Sequence, residues 1–264
     1  MVKFRDYVAP ETTEEAYEAL LSKNSARLVG GGCFMRMGKK RVALAVDLWN
    51  TGLNYIEDTG DEIEIGAMTT LHEFETSEIL KENFGNIIKD SVKHIIGVQL
   101  RNIATIGATV FSKYGFSDPL TALLALDADV VLHKGGRMPL GDFLEEEEIR
   151  RDILEKVVIR KDVKRASFQT IRNSAVDYAI LSVAFAEVDG GYKISVGARP
   201  RKATLAYKAM GYLQGEGLSE ESAIEAGELA SEELHFGDNN RGSAKYRQEL
   251  CKVLVKRAIL EVME

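Results

Sequence analysis

Apolar positions along the chain shift repeatedly between helical and extended periods, with turn residues at the changes. Thr12-Thr13-Glu14-Glu15 has capping-box spacing, with Thr12 at the N-cap and Glu15 three residues on. Tyr17, Leu20 and Leu21 form an apolar stripe, which predicts a helix ending near Asn24. Ala26–Val29 reads as a short strand that runs into Gly30-Gly31-Gly32, where missing Cβ atoms predict a tight loop. Val42–Leu48 is the next strand, and Glu62-Ile63-Glu64-Ile65-Gly66 alternates as a half-buried strand does. Helical stretches are predicted over Thr70–Lys81 and Ile87–Ile95, and a second glycine loop over Thr105–Thr109. Asp118-Pro119 opens a helix, with Asp118 as N-cap and proline at the first helical position. Ala128–His133 and Val157–Ile159 read as strands, with Gly135-Gly136 as a hairpin turn.

The charged run from Arg160 to Arg165 breaks this pattern and predicts a boundary. Residues 1–161 form one domain, with parts 1–54 and 55–161, and residues 162–264 form a second. In the second, Ser167–Ile171, Tyr178–Val188 and Tyr192–Val196 predict a three-stranded antiparallel sheet turned at Asp189-Gly190-Gly191. Lys202–Leu213, Ser219–Leu234 and Ser243–Val262 predict three helices, so the fold class is α+β.

Composition narrows the function. With 45% hydrophobic and 28% charged residues among 264, the chain reads as globular. A net charge of -7 argues against a dedicated nucleic-acid binder, whose affinity rests on neutralising phosphates. No apolar run has transmembrane length, and the residues after Met1 lack a signal-peptide core, so a cytoplasmic location is expected. Cys33 and Cys251 are too few for an iron–sulfur cluster or a structural zinc site built on this chain's thiolates. His72, His94, His133 and His235 lack metal-ligand spacing and read as surface or packing residues. Redox chemistry would therefore need an organic cofactor or a partner's metals.

Two loops are candidates for holding such a cofactor. Gly30-Gly31-Gly32 lets backbone N–H groups approach a phosphate. It is not a dinucleotide fingerprint, because Met35 stands where a third glycine is needed. Nor is it a P-loop, since Cys33 occupies the first glycine position before Gly38-Lys39. Thr105–Thr109 combines hydroxyls with a glycine, and Asp118 could bind sugar hydroxyls as well as cap its helix. Glu145–Arg151 and Arg199-Pro200-Arg201-Lys202 read as solvated surface, and Trp49 as packing.

Taken together, the motifs resemble a known family. Leu28-Val29-Gly30-Gly31-Gly32-Cys33-Phe34 is similar to its A-G-G-T-D loop, and Arg101-Asn102-Ile103-Ala104-Thr105-Ile106-Gly107-Ala108-Thr109 to its R-N-x-A-T-I-G-G-N segment. Ser117-Asp118 through Leu126-Asp127-Ala128 is similar to its S-D-x-x-P-A-L-L-A-L-D-A. Ile65-Gly66-Ala67, Pro139-Leu140 with Asp142-Phe143, and Ser243-Ala244-Lys245-Tyr246-Arg247 extend the likeness over essentially the whole chain. The family is that of the FAD-binding (medium) subunits of molybdenum hydroxylases such as xanthine dehydrogenase and carbon monoxide dehydrogenase.

The resemblance implies a two-subdomain FAD-binding fold of the vanillyl-alcohol oxidase type, followed by a small α+β domain. It implies non-covalent FAD held by Leu28, Val29, Gly30, Gly31, Gly32, Cys33, Phe34 and Met35 and by Thr105, Ile106, Gly107, Ala108 and Thr109. Asp118 would contact the FAD sugar portion, and Ile95 would pack near the flavin. Electrons would arrive from the [2Fe–2S] clusters of a small subunit, after oxidation of substrate at molybdopterin in a large subunit, and leave to NAD or another acceptor. No residue here would act as general acid or base. Cys33, Phe34, Ala108 and Thr109 depart from the family pattern, and Gln169 stands where many relatives carry a lysine near the flavin ring. A relative with an additional [4Fe–4S] cluster is disfavoured by the two cysteines. The alternatives are a self-sufficient flavin oxidase or dehydrogenase, and a scaffold subunit with a decayed flavin site.

Overall fold

The structure, a computed structural model, describes residues 2–147 and 151–264. The N-terminal part is a three-stranded parallel sheet with order β1-β3-β2, built from β1 (Lys3–Val8), β2 (Ala26–Val29) and β3 (Arg41–Asp47). Helix α1 (Thr13–Ser22) connects its first two strands. The sequence pattern does not reveal β1, because all six residues of this edge strand are exposed and none alternates into the core. Thr12 caps α1 by accepting from the Glu15 N–H at 3.2 Å. Glu15 does not complete the box: its carboxylate accepts from the Glu11 N–H instead. Leu20 is buried and Tyr17 partly so, whereas Leu21 of the expected stripe is exposed.

The second part is a five-stranded antiparallel sheet of order β4-β5-β8-β6-β7. Its strands are β4 (Ile56–Asp58), β5 (Glu62–Gly66), β6 (Asp129–Leu132), β7 (Gly136–Pro139) and β8 (Leu154–Arg160). Between β5 and β6 run α2 (Leu71–Thr76), α3 (Glu78–Phe84), α4 (Ile87–Val92), α5 (Val98–Arg101), α6 (Ile106–Phe111) and α7 (Asp118–Ala125). Helix α8 (Leu140–Glu145) follows β7. The stretch Thr70–Lys81 is two helices rather than one, because Ser77 accepts from the Leu80 N–H and starts α3 afresh. Helix α4 ends at Val92, short of Ile95.

The C-terminal part contains β9 (Val163–Arg172), β10 (Ala179–Val188), β11 (Gly191–Gly197) and β12 (Thr204–Leu205) in antiparallel order β12-β11-β10-β9. The sheet thus has four strands, not three. The two-residue β12 is too short to carry an alternation, and it takes the start of the helix expected from Lys202. That helix is α9 (Tyr207–Glu216), followed by α10 (Glu220–Glu233) and α11 (Ala244–Met263). No helix among the described residues is long and apolar enough to cross a membrane.

Every β10 residue except Glu187 is buried, because the sheet is covered on both faces. Leu181, Val183 and Phe185 join the core formed with α9, α10 and α11. Ala184 and Ala186 turn to the core shared with the N-terminal parts. Arg247 of α11 is fully buried and ties the C-terminal layer together. Its guanidinium donates to the carbonyls of Ile180 and Gly237, both at 2.8 Å, to that of Gly242, and to the Asn239 side chain. Arg247→Ala strands these carbonyls and leaves a cavity, so a stability loss of about 3 kcal/mol or more is expected. Chemical denaturation followed by far-UV circular dichroism checks this, and an unchanged midpoint would contradict it.

Candidate functional site

A cavity of about 700 Å³ opens between the glycine loop after β2, the start of α6, the start of α7 and the end of β9. That size falls within the roughly 300–1,000 Å³ of small-molecule and cofactor sites. The loop is shaped by two close approaches. Gly31 and Gly32 have left-handed φ of +78° and +68°. A Cβ on Gly31 would lie 1.8 Å from the Ile103 carbonyl oxygen, and one on Gly30 would lie 2.9 Å from Thr105 Oγ1. Thr105 Oγ1 donates to the Gly30 carbonyl at 3.2 Å and accepts from the Ala108 N–H at 3.3 Å. Gly107 sits where a Cβ would meet the Ala67 carbonyl at 2.6 Å. The two segments are therefore stitched into one wall. Thr105–Thr109 is not a loop as expected from sequence: Thr105 is an N-cap, and α6 begins at Ile106.

Of the residues named from sequence, the cavity is lined by Leu28, Gly30, Gly32, Cys33, Phe34, Met35, Ile95, Thr105, Gly107, Ala108, Thr109 and Asp118. Val29, Gly31 and Ile106 stand behind this lining; Ile106 is fully buried. Gln169 is a correction. Its side chain donates to Glu261 of α11, on the sheet face away from the cavity, because strand alternation places it with Ser167, which donates to the Ala258 carbonyl of the same helix.

Asp118 is also reassigned. It is the first residue of α7, not its N-cap, and Ser117 holds the cap position. The Asp118 carboxylate pairs with Arg172, and both side chains are at most 8% exposed. Arg172 also donates to the Asp177 carbonyl at 2.7 Å. Asp118 Oδ1, Arg172 Nε and Ser117 Oγ have no hydrogen-bond partner, and all three residues line the cavity. Burial pushes the Asp118 carboxyl up, against the pull of Arg172. His94, read from sequence as an ordinary surface or packing residue, lines the cavity beside this pair. Its pKa is lowered by burial and then by Arg172 and Lys93.

Sequence reasoning missed the aromatic wall. Phe34 packs on Tyr114 and Phe116, with ring centroids 5.2 and 5.8 Å apart. Tyr114 stacks on Phe116 at 4.9 Å, and Phe116 meets Tyr178 at 4.5 Å. These rings come from three separated segments, so no spacing announces them. Trp49, expected to pack, is 65% exposed and away from the cavity. Among the lining residues Arg27, Lys39, Lys40 and Arg172 are basic and only Asp118 and Asp177 acidic. In a chain of net charge -7, that local excess favours an anionic ligand. Apolar walls, unpartnered polar atoms and a glycine-narrowed loop together suit a large, partly apolar, phosphate-bearing cofactor. Among the described residues no cluster of His, Cys, Asp or Glu could hold a metal. Glu148, Ile149 and Arg150 of the acidic-to-basic stretch lie outside the described residues.

Comparison with known proteins agrees. The FAD binding domain in molybdopterin dehydrogenase matches residues 2–160, and the CO dehydrogenase flavoprotein C-terminal domain matches residues 166–262. The chain is 27% identical to the glyceraldehyde dehydrogenase medium chain of Sulfolobus acidocaldarius, over 97% of both chains. It is 26% identical to the nicotine 6-hydroxylase medium subunit of Paenarthrobacter nicotinovorans, over 97% of this chain and 96% of that one. In fold it superposes on the carbon monoxide dehydrogenase from Hydrogenophaga pseudoflava with a TM-score of 0.89 and 23% identity, covering 99% of this chain and 97% of that one.

Two outcomes follow from the geometry. Gly31→Ala forces the loop off the Ile103 carbonyl and is expected to weaken FAD binding at least about tenfold in an equilibrium titration. Gly32→Ala, with nothing nearer than Val29 at 3.6 Å, meets only left-handed strain of about 1 kcal/mol. The lowered pKa of His94 predicts a second effect. Below its ordinary 6.5 the unfolded chain takes up a proton that the folded one refuses, so stability falls as pH drops from there toward the folded value. Thermal melts from about pH 7.5 to about pH 5 should show this loss, and His94→Asn should flatten it.

Proposed function

This chain belongs to the FAD-binding family of molybdopterin dehydrogenases, and we propose that it is the electron-relay subunit of a molybdenum hydroxylase complex. Its partners are a small subunit with [2Fe–2S] clusters and a large subunit with molybdopterin. The relay delivers electrons to NAD or to another acceptor. One observation carries this reading: the basic-lined cavity of about 700 Å³, with unpartnered polar atoms on Ser117, Asp118 and Arg172.

FAD, when bound, supplies the chemistry of taking up electrons in pairs or singly. The residues of this chain bind and orient it. The Gly30–Met35 loop offers backbone N–H groups to the diphosphate, and Lys39 and Lys40 line the same cavity. The hydroxyls of Thr105 and Thr109 and the N–H groups of Ile106–Thr109 are bonded within the protein and shape the wall behind it. Ser117 and Asp118 offer unpartnered oxygens to sugar hydroxyls. Ile95, Met68 and Leu71 supply apolar wall against the ring system. Gln169 faces Glu261 and not the cavity, whereas Arg172 of the same strand brings a positive charge to it. The departures at Cys33 and Phe34 change side chains and not the N–H groups of the glycine loop, so FAD binding is expected to persist if the contacts are made mainly by the backbone.

The test is a visible absorption spectrum of the purified chain after reconstitution, with chromatographic identification of the released flavin. The expected result is FAD at about one per chain, no turnover of an organic substrate by the chain alone, and reduction by a reduced [2Fe–2S] partner. Failure to take up FAD at saturating concentration would sink the proposal.

A further inference from the structure

The basic segment Arg199-Pro200-Arg201-Lys202 has no part in the FAD cavity, and its structure departs from the solvated surface that its composition suggests. It lines a separate cavity of about 430 Å³ between the α7–α8 region and the β11–β12 connection. We propose that this cavity is a second binding site, for a nucleoside phosphate or a closely similar phosphorylated molecule with a planar body.

Arg199 carries the case. It is only 6% exposed, and among the described residues no carboxylate pairs with it. Two of its nitrogens donate to the carbonyls of His235, at 2.6 Å, and Lys202, at 2.9 Å. Its Nε has no partner. Arg247, also buried without a carboxylate, shows what a structural arginine looks like here: each of its three nitrogens has an acceptor, and it lines neither cavity. A buried guanidinium without a counter-ion is costly. Its nitrogens are bonded or enclosed, so an anion held at the cavity by the exposed Arg201 relieves that cost through space rather than by direct contact. Burial lowers the Arg199 pKa to about 10, as expected for such an uncompensated cation. The inward course of the segment is built in. Ala198 takes a left-handed φ of 56°, and its N–H donates to the Gly115 carbonyl at 3.1 Å.

The other lining residues supply the rest of a nucleotide's chemistry. Arg201 is an exposed second cation at the same cavity. Lys202 is anchored by donating to the Leu144 carbonyl at 2.6 Å, which fixes α8 as the opposite wall. Leu124, Leu144 and Leu205 give an apolar floor, and Tyr207, 63% exposed, offers a ring face for stacking. Glu145 offers an acceptor for sugar hydroxyls. The FAD cavity is distinct: α7 contributes Asp118 and Pro119 to that one and Leu124 to this one.

The test is isothermal titration of the full chain, saturated with FAD, with AMP as probe and adenosine as the uncharged control. AMP is expected to bind at about one per chain, with adenosine at least about tenfold weaker and FAD remaining bound. Arg201→Glu, at an exposed position, should weaken AMP at least about tenfold without changing FAD content or melting temperature. Absence of AMP binding up to about millimolar concentration, AMP displacing FAD, or equal affinity in Arg201→Glu would each overturn the proposal.

Discussion

The organisation of this molecule depends on the complete burial of α7. All eight of its residues are buried. A helix of that length has little stability alone, so its position is set by what encloses it. On one side it meets the C-terminal sheet at very short range: a Cβ on Gly197 would lie 2.0 Å from Thr121 Oγ1, and Thr121 Oγ1 lies 3.3 Å from Ser182 Oγ. Ser195 donates to the Thr121 carbonyl. Small and hydroxylated residues on β10 and β11 thus let helix and sheet approach while satisfying the polar atoms that the contact buries.

This constraint links the two parts of the chain at the cavity of about 700 Å³. The start of α7 presents Asp118, and the end of β9 presents Arg172 to it. A buried pair of this kind adds little net stability over an apolar substitute, but removal of either partner leaves an uncompensated charge. Its consequence is geometric: the C-terminal sheet is held in one register against the FAD-binding part, and the 176–178 turn is kept at the cavity wall. The glycine loop answers from the other side, where Gly31 and Thr105 bind the first sheet to the second part through Ile103 and Gly30.

Much of this was legible in the chain itself. Glu62–Gly66 is a strand because its isoleucines alternate with glutamates, and Val163–Val188 is a hairpin framework because long β-rich runs are separated by turn residues. Thr12 caps its helix as its position suggests, since capping is a local hydrogen bond. The resemblance grouped the glycine loop, the T-I-G segment and Asp118 as one site, and residues of all three line a single cavity.

Sequence by itself determined the fold class, the family and the elements with a strong period, such as β5 and α1, but not β1, β12 or the start of α6, which lack one. Tertiary structure alone decided which side chains converge. Gln169 and Arg172 lie three residues apart on one strand, so alternation sends them to opposite faces, the first to Glu261 and the second to Asp118. Phe34, Tyr114, Phe116 and Tyr178 become one aromatic wall only when three segments fold together. Arg199 looks like any surface arginine in the sequence, yet it is buried, next to the left-handed Ala198. In each case the deciding quantity is burial by residues distant in the chain, and no local pattern encodes that.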